Sequence, residues 1–213
     1  MSLATYTDLQ AAVAAYMARA DLAANTPDFI TQSEAIMNRV VRTPQMEASA
    51  TASISTNYVT LPADFLEWIS AQWVGTRTAD LRFVEADAEE WRFRYRAGLD
   101  PTMFTVLANS LFIRPAAPGY VVLYYYQKIP TLVTNGTNWM MTNHPDIYLS
   151  LSLFFANVFV LNDQRAQEFF ELAEDQMNKA DMLSDSAKVA LRGTIEADTT
   201  EKATARTPAA GAV

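Results

Sequence analysis

Cysteine is absent from this 213-residue chain, which excludes a disulfide framework and a thiolate metal site. Histidine occurs once, as His144, beside a proline and away from any nucleophile motif. We therefore expect it to act in a loop or a helix cap rather than in a catalytic triad. The six glycines are scattered and form no phosphate-binding loop. The sequence therefore contains no recognisable set of catalytic residues, and we predict that the protein is not an enzyme and uses no cofactor.

Carboxylates cluster at only two places. Glu89 and Glu90 are adjacent, and Glu171, Glu174 and Asp175 lie together farther along the chain. Glu171 and Asp175 are four residues apart and would share one face of a helix, where they could bind a cation. A solvated acidic face is the simpler interpretation, so no metal site is predicted.

Long apolar runs are also missing. The longest, Ile147–Leu161, is shorter than the roughly 20 residues that a membrane span needs, and the N-terminal residues lack the pattern of a secretory signal. The net charge of -8 disfavours nonspecific binding to nucleic acid. Much of this charge lies between residues 163 and 201, where ten acidic residues accompany four basic ones. We expect synthesis in the cytoplasm and no membrane insertion.

Half of the residues are hydrophobic, enough for one sizeable core or two small ones. Pro145, followed by Asp146, predicts the start of a helix whose next fifteen residues are apolar nearly all round, so this helix needs neighbours on several sides. After Asn162-Asp163 comes a one-sided apolar stripe from Ala166 to Leu183. The two helices are predicted to form an antiparallel hairpin.

The first 45 residues predict a second helical hairpin. Thr7 and Gln10 have the spacing of a capping box, which places the first helix at about Asp8–Ala20. Thr26-Pro27 marks the start of the next helix, which should end before Pro44.

Between the hairpins, short runs of β-branched and aromatic residues predict an antiparallel β meander. Strands are expected near residues 51–61, 66–74, 104–107, 111–114 and 120–128, and the last has apolar or tyrosine side chains on both faces, so both should be covered. A short charged helix is expected at 86–96. Trp91 in this helix suits either the core or an interface, together with Arg92, Arg94 and Arg96.

The predicted fold class is α+β, with a four-helix bundle made from two helical hairpins, an inserted antiparallel β meander and an extended C-terminal arm. The expected divisions are residues 1–45 and 137–192 for the hairpins, 46–136 for the β-rich layer, and 193–213 for the arm. The arm has almost no apolar surface, so it should become ordered only against a partner.

One family shares this order of features. The chain resembles the head-to-tail adaptor, or connector, proteins of tailed bacteriophages over roughly residues 5–185. The resemblance rests on the segment Tyr58–Leu66 and on a later series of short motifs: Asn138-Trp139, His144-Pro145-Asp146, Tyr148-Leu149 and Asn162-Asp163-Gln164-Arg165.

The resemblance implies a structural virion protein at the head-to-tail interface. Such proteins form a ring beneath the portal, match its twelve-fold symmetry, join the head to the tail or nozzle protein and surround a channel for DNA. The implied partners are the portal, the tail, neighbouring adaptor subunits, and DNA that passes without specific binding.

Three sets of residues are assigned to these contacts. Glu171, Glu174 and Asp175 are candidates for the channel wall, and Trp91, Arg92, Arg94 and Arg96 are candidates for an interface. The arm would bind the portal or a neighbouring subunit through residues that include Thr194, Arg206, Thr207, Pro208 and Val213.

The alternative hypothesis belongs to another class of protein. A small hydrolase or carbohydrate-binding module could use the β layer, with Glu89, Glu90 and the tyrosines near its site. A monomer that binds a small ligand would favour this alternative, whereas assembly on a partner would favour the adaptor.

Overall fold

The computed structural model describes residues 3–93 and 99–181. Contacts within the chain divide it into two compact units. The described residues up to Pro44 and from Pro130 form the helical unit, and those within Gln45–Ile129 form the β unit.

Six helical segments make up the helical unit in the described residues. Besides a short 3-10 turn at Ala20–Leu22, they are α1 (Tyr6–Met17), α2 (Thr26–Val40), α4 (Leu132–Asn135), α5 (Trp139–Asn143), α6 (Pro145–Phe159) and α7 (163–181).

Helix α6 is the centre of this unit, as its sequence predicts. Pro145 occupies the first turn and Asp146 lies beside it, where its carboxylate complements the helix dipole. The helix packs against both α1 and α2, and Ile147, Tyr148 and Leu151 are fully buried. The prediction of a helix that needs neighbours on several sides is confirmed.

The cap of α1 differs from the predicted one. Thr5 rather than Thr7 is the cap residue: its hydroxyl accepts a hydrogen bond from the Asp8 amide at 3.2 Å, and the Asp8 carboxylate accepts one from the Thr5 amide at 3.1 Å. Aspartate serves here in place of the predicted glutamine, because its shorter carboxylate reaches back equally well from the third position. The helix consequently begins at Tyr6.

The β unit is built on one seven-stranded sheet. Its strands are β1 (Glu47–Ile54), β2 (Tyr58–Thr60), β3 (Phe65–Val74), β4 (Thr78–Phe83), β5 (Met103–Leu107), β6 (Ser110–Arg114) and β7 (Gly119–Gln127). The order across the sheet is β1-β7-β3-β4-β5-β6-β2. All neighbouring pairs are antiparallel except β4 and β5, which are parallel, and α3 (Glu89–Phe93) lies in the crossover between them. Because β1 also contacts β2, the sheet is nearly closed, like a barrel.

One face of the sheet forms the core of this unit. Strand β7 contributes Val121, Leu123 and Tyr125, which are buried beside Trp73 and Phe104. On the other face of the same strand Tyr120 and Tyr124 are exposed. The prediction that both faces of this strand are covered is therefore wrong within the described residues.

The predicted fold class is also wrong. The protein is a mixed α/β structure in which a nearly closed seven-stranded sheet replaces the small antiparallel meander. Strand β4 escaped prediction because Asp80 and Arg82 interrupt its apolar positions, although their alternation with buried Leu81 is what a one-sided strand requires. The helical unit is not a simple four-helix bundle either, since α4 and α5 add two short helices before α6.

None of the helices within residues 3–93 and 99–181 has both the length and the apolar character needed to cross a membrane.

Candidate functional site

Three helix termini of the helical unit meet at one end. The side-chain amide of Asn157, near the end of α6, lies 3.6 Å from the sulfur of Met17 at the end of α1. The ring of Phe29, near the start of α2, lies 5.6 Å from the ring of Phe159. The connections that follow α1 and α6 are therefore close together.

This end of the unit exposes several large apolar side chains. Leu161 is 86% exposed, Tyr16 56% and Phe159 55%, and Val158 is exposed beside them in the sequence. We call these four residues the apolar end. Single exposed apolar residues are common in monomers, whereas several at one place are typical of interaction surfaces.

Leu161 is also held in an unusual backbone conformation. Its φ of 59° lies in the left-handed region, where a residue with a Cβ is strained and glycine is preferred. The turn is fixed by its neighbour, because the Asn162 amide donates to the Asn157 carbonyl at 2.9 Å and the Asn162 side chain accepts from the Arg165 amide at 3.4 Å. With this backbone strain and so little burial by the described residues, the Leu161 side chain contributes little to the stability of the helical unit.

An exposed charge pair follows α1 near the apolar end. The Arg19 guanidinium donates two hydrogen bonds to Asp21, at 3.0 and 2.5 Å. These bonds lower the pKa of the Asp21 carboxyl below its usual value. The charges neutralise each other, so this pair gives the end no strong field of either sign.

Helix α7 is amphipathic, and its acidic residues lie on the exposed side. Ala166, Ala173, Met177 and Ala180 are buried, whereas the predicted channel residues Glu171, Glu174 and Asp175 are all exposed. Asp175 pairs with Lys179 at 2.5 Å, and Glu171 accepts a hydrogen bond from Gln167 at 2.9 Å. Residues 163–181 contain six acidic and two basic side chains, so the face remains negative.

The predicted interface around α3 is only partly exposed. Trp91 is buried with Val84 and Met103, and the Arg114 guanidinium lies over its ring at 4.7 Å. Arg92 is exposed, while Arg94 and Arg96 lie outside the described residues. Because Trp91 is 6% exposed, most of its surface is buried within the β unit. Of the two described members of this set, Arg92 is the exposed one.

Of the other candidate residues taken from the sequence, some lie outside the described residues and some lie within them. Thr194, Arg206, Thr207, Pro208 and Val213 lie outside the described residues. His144 is the cap residue of α6, although its side chain makes no capping hydrogen bond. Glu90, a candidate of the alternative hypothesis, forms an ion pair with Arg82. Within the described ranges no three acidic or histidine side chains converge in the manner of a metal site.

The apolar end itself was not identified from the sequence. Its signal is the run Val158-Phe-Val-Leu161 directly before the Asn162-Asp163 turn, where the helix ends while its residues are still apolar. Sequence periodicity assigns these residues to a buried helix, and only the structure shows that Val158, Phe159 and Leu161 are exposed.

Comparison with known proteins gives one family. The model of a family described as SU10 adaptor protein matches residues 4–195. No curated protein matches the sequence significantly.

Proposed function

The chain belongs to the SU10 adaptor protein family, and on that premise we propose that it forms a homo-oligomeric ring beneath the portal of a phage head. Membership makes the chain a structural adaptor and a virion component, in agreement with the resemblance found in its sequence. The ring, its position under the portal and its central channel are the proposed part. In this arrangement the ring joins the head to the tail or nozzle protein and follows the twelve-fold symmetry of the portal.

The apolar end is the observation that carries the proposal. Tyr16, Phe159 and Leu161 are left uncovered by their own helical unit, and burial of apolar area stabilises an interface by roughly 25 cal/mol per Å² before the costs of association. A contact that joins this end to a different patch of the next copy is head-to-tail, and such contacts form a ring when the rotation between successive copies closes. The portal beneath which the ring is proposed to assemble would impose that closure. Neighbouring subunits thus supply the cover that the sequence of α6 requires.

The charge of α7 supports a place along the DNA path. Its exposed carboxylates, Glu171, Glu174 and Asp175, repel phosphates rather than bind them. We place this face on the channel wall, where duplex DNA then slides without sticking. Strong binding would instead require clustered lysine and arginine, and α7 has only Arg165 and Lys179 in its described length.

The C-terminal residues complete the proposed assembly. Residues 193–213 act as an arm that docks on the portal, and Thr207-Pro208 suits an extended path along another subunit. Arg92 and its neighbours Arg94 and Arg96 are assigned to a second contact, on a partner of opposite charge. A neighbouring adaptor subunit is the other possible receptor for the arm.

A paired substitution tests the self-association. Leu161→Asp places a charge at the apolar end, and Val133→Asp makes the same change at an exposed residue of α4. The start of α1 lies near α4, since the Tyr6 amide donates to the Gly136 carbonyl at 2.8 Å, so α4 is at the other end of α1. Native mass spectrometry on portal complexes should show loss of the ring for Leu161→Asp only. Intact rings with both variants would remove the apolar end from the subunit contact.

A further inference from the structure

Glu34 is a buried carboxyl group at the centre of the helical unit. It lies on α2 and is 6% exposed. Its Oε1 accepts a hydrogen bond from the Leu132 amide at 2.8 Å and a longer one from the Tyr148 hydroxyl at 3.4 Å. The Leu132 amide is the first of α4, and Thr131, the cap residue of that helix, makes no side-chain capping bond. Glu34 therefore caps α4 from another helix.

The network extends to the start of α5. The Asn138 side-chain amide donates to the Tyr148 hydroxyl at 2.8 Å and to the Pro130 carbonyl at 2.6 Å. Its carbonyl oxygen accepts from the Met141 amide at 2.7 Å. Every residue of this network except Glu34 and Tyr148 lies within residues 130–143, which we call the return segment because it follows directly on the β unit.

Among the residues that the structure describes, no cation balances the charge of Glu34. Its partners in the described residues are an amide and a phenol, and none of its interactions comes from lysine, arginine or histidine. The titratable groups coupled to it are Tyr6 on α1 and Tyr148 on α6, and Asp28 on α2 acts on the same Tyr6. Each of these groups is neutral or negative. Burial raises the pKa of Glu34, while the Leu132 amide and the Tyr148 hydroxyl oppose that rise.

Little buried surface holds the first part of the return segment, residues 130–138, in place, whereas Met140 and Met141 farther along it are fully buried. Between residues 131 and 138 only Leu132 and Asn138 are buried, and Val133, Thr134, Asn135 and Gly136 are exposed. The indole N–H of Trp139 is buried without an acceptor in the described part of the chain. Segments with few buried contacts open at a small fraction of the global unfolding free energy.

We propose that the charge of Glu34 controls local opening of residues 130–138: the ionised carboxylate favours the open form, and the neutral side chain favours the closed form. Opening brings water to the carboxylate and removes the cost of burying an unpaired charge. The closed form binds the proton more tightly than the open form, so linkage requires that acidification favours closure and that rising pH favours opening. The inference does not depend on the proposed ring, since all of its groups lie in one helical unit.

Hydrogen–deuterium exchange of the full chain tests this assignment. Protection factors, corrected for intrinsic exchange, are measured for peptides from 130–138 between pH 5 and pH 8. In the unaltered protein, protection should fall as the pH rises, by about tenfold for each unit by which the pKa of the closed form exceeds that of the open form. In Glu34→Gln, which keeps an acceptor for the Leu132 amide, protection should be high at neutral pH and independent of pH.

Two controls separate local release from other causes. Glu171→Gln removes an exposed carboxylate of the same unit and should leave the exchange of 130–138 as in the unaltered protein. Peptides from the centres of α2 and α6 should not follow the pH dependence, because the opening is local. Protection of 130–138 that is independent of pH in the unaltered protein, that keeps its slope in Glu34→Gln, or that falls equally in every peptide would overturn the proposal.

Discussion

Replacing Leu161 by glycine should stabilise the folded chain and weaken its assembly at the same time. Leu161 has a φ of 59° and is 86% exposed, so the side chain contributes strain and almost no burial. Glycine adopts this conformation without the clash of Cβ with the backbone. The same substitution removes the most exposed apolar side chain of the apolar end, which the proposed ring buries between subunits.

The magnitude follows from two opposing terms. The left-handed conformation destabilises a residue that has a Cβ by roughly 1–2 kcal/mol. Glycine in turn destabilises the folded state by roughly 0.5–1 kcal/mol relative to alanine, because it loses more conformational entropy on folding. The net gain in the free energy of unfolding is therefore expected to lie between about 0 and 1.5 kcal/mol, centred near 0.75 kcal/mol. In a chain of this length, each kcal/mol of added stability raises Tm by about 2–4 °C.

Thermal unfolding of the dilute protein measures the first effect, and native mass spectrometry at assembly concentrations measures the second. Ala18→Gly is the matched control, because Ala18 also has a left-handed φ, of 52°, but carries only a methyl group. It should raise Tm by a similar amount and leave assembly unchanged. A Leu161→Gly protein that is less stable, or that assembles as well as the original, would refute the reasoning about this residue.

Two sets of substitutions and one truncation test separate parts of the account. Thr5→Ala should lower the free energy of unfolding by about 1 kcal/mol through loss of the α1 cap, whereas Thr7→Ala should change little; equal effects in urea titrations would contradict the assigned cap. Lysine replacements at Glu171, Glu174 and Asp175, on the exposed face of α7, should slow DNA exit in ejection assays without preventing assembly. Unchanged ejection kinetics would place that face away from the channel. Truncation after Arg192 should leave the helical unit folded by circular dichroism but reduce attachment to portal-bearing heads, and full occupancy would make the arm dispensable.

Helix boundaries were the part of the fold most accessible from the sequence. Proline at the first helical position and aspartate in the first turn define the start of α6 by local chemistry alone. The start of α2 at Thr26 follows from the same kind of signal. The residues concerned act on their own backbone, so no knowledge of tertiary structure was needed.

Sheet topology could not be obtained in this way. Strands β3, β5, β6 and β7 were recognised individually from their composition. That β7 lies between β1 and β3, and that β4 pairs in parallel with β5, depends on contacts distant in sequence. The predicted strand at 51–61 is in fact β1 and β2, placed at opposite ends of the order. Nothing in the local sequence distinguishes a meander from a nearly closed sheet.

The candidate site was predictable in its charge but not in its apolar part. The acidic face of α7 was visible as clustered carboxylates, and the structure leaves those side chains exposed. The apolar end depends on where three helices terminate relative to each other, and Leu161 looks like a core residue in the sequence. The sequence around Trp91 suited a core and an interface equally well. In the structure Trp91 is buried with Val84 and Met103, and the Arg114 guanidinium lies over its ring.

The central claim is that copies of this chain associate into a ring at the head-to-tail interface. Native mass measurement of connector complexes released from virions tests it most directly, because the mass counts the 23.7 kDa subunits in each complex. The account predicts a fixed number of copies bound to each portal, twelve if the ring follows the symmetry of the portal. A single copy per particle would contradict it.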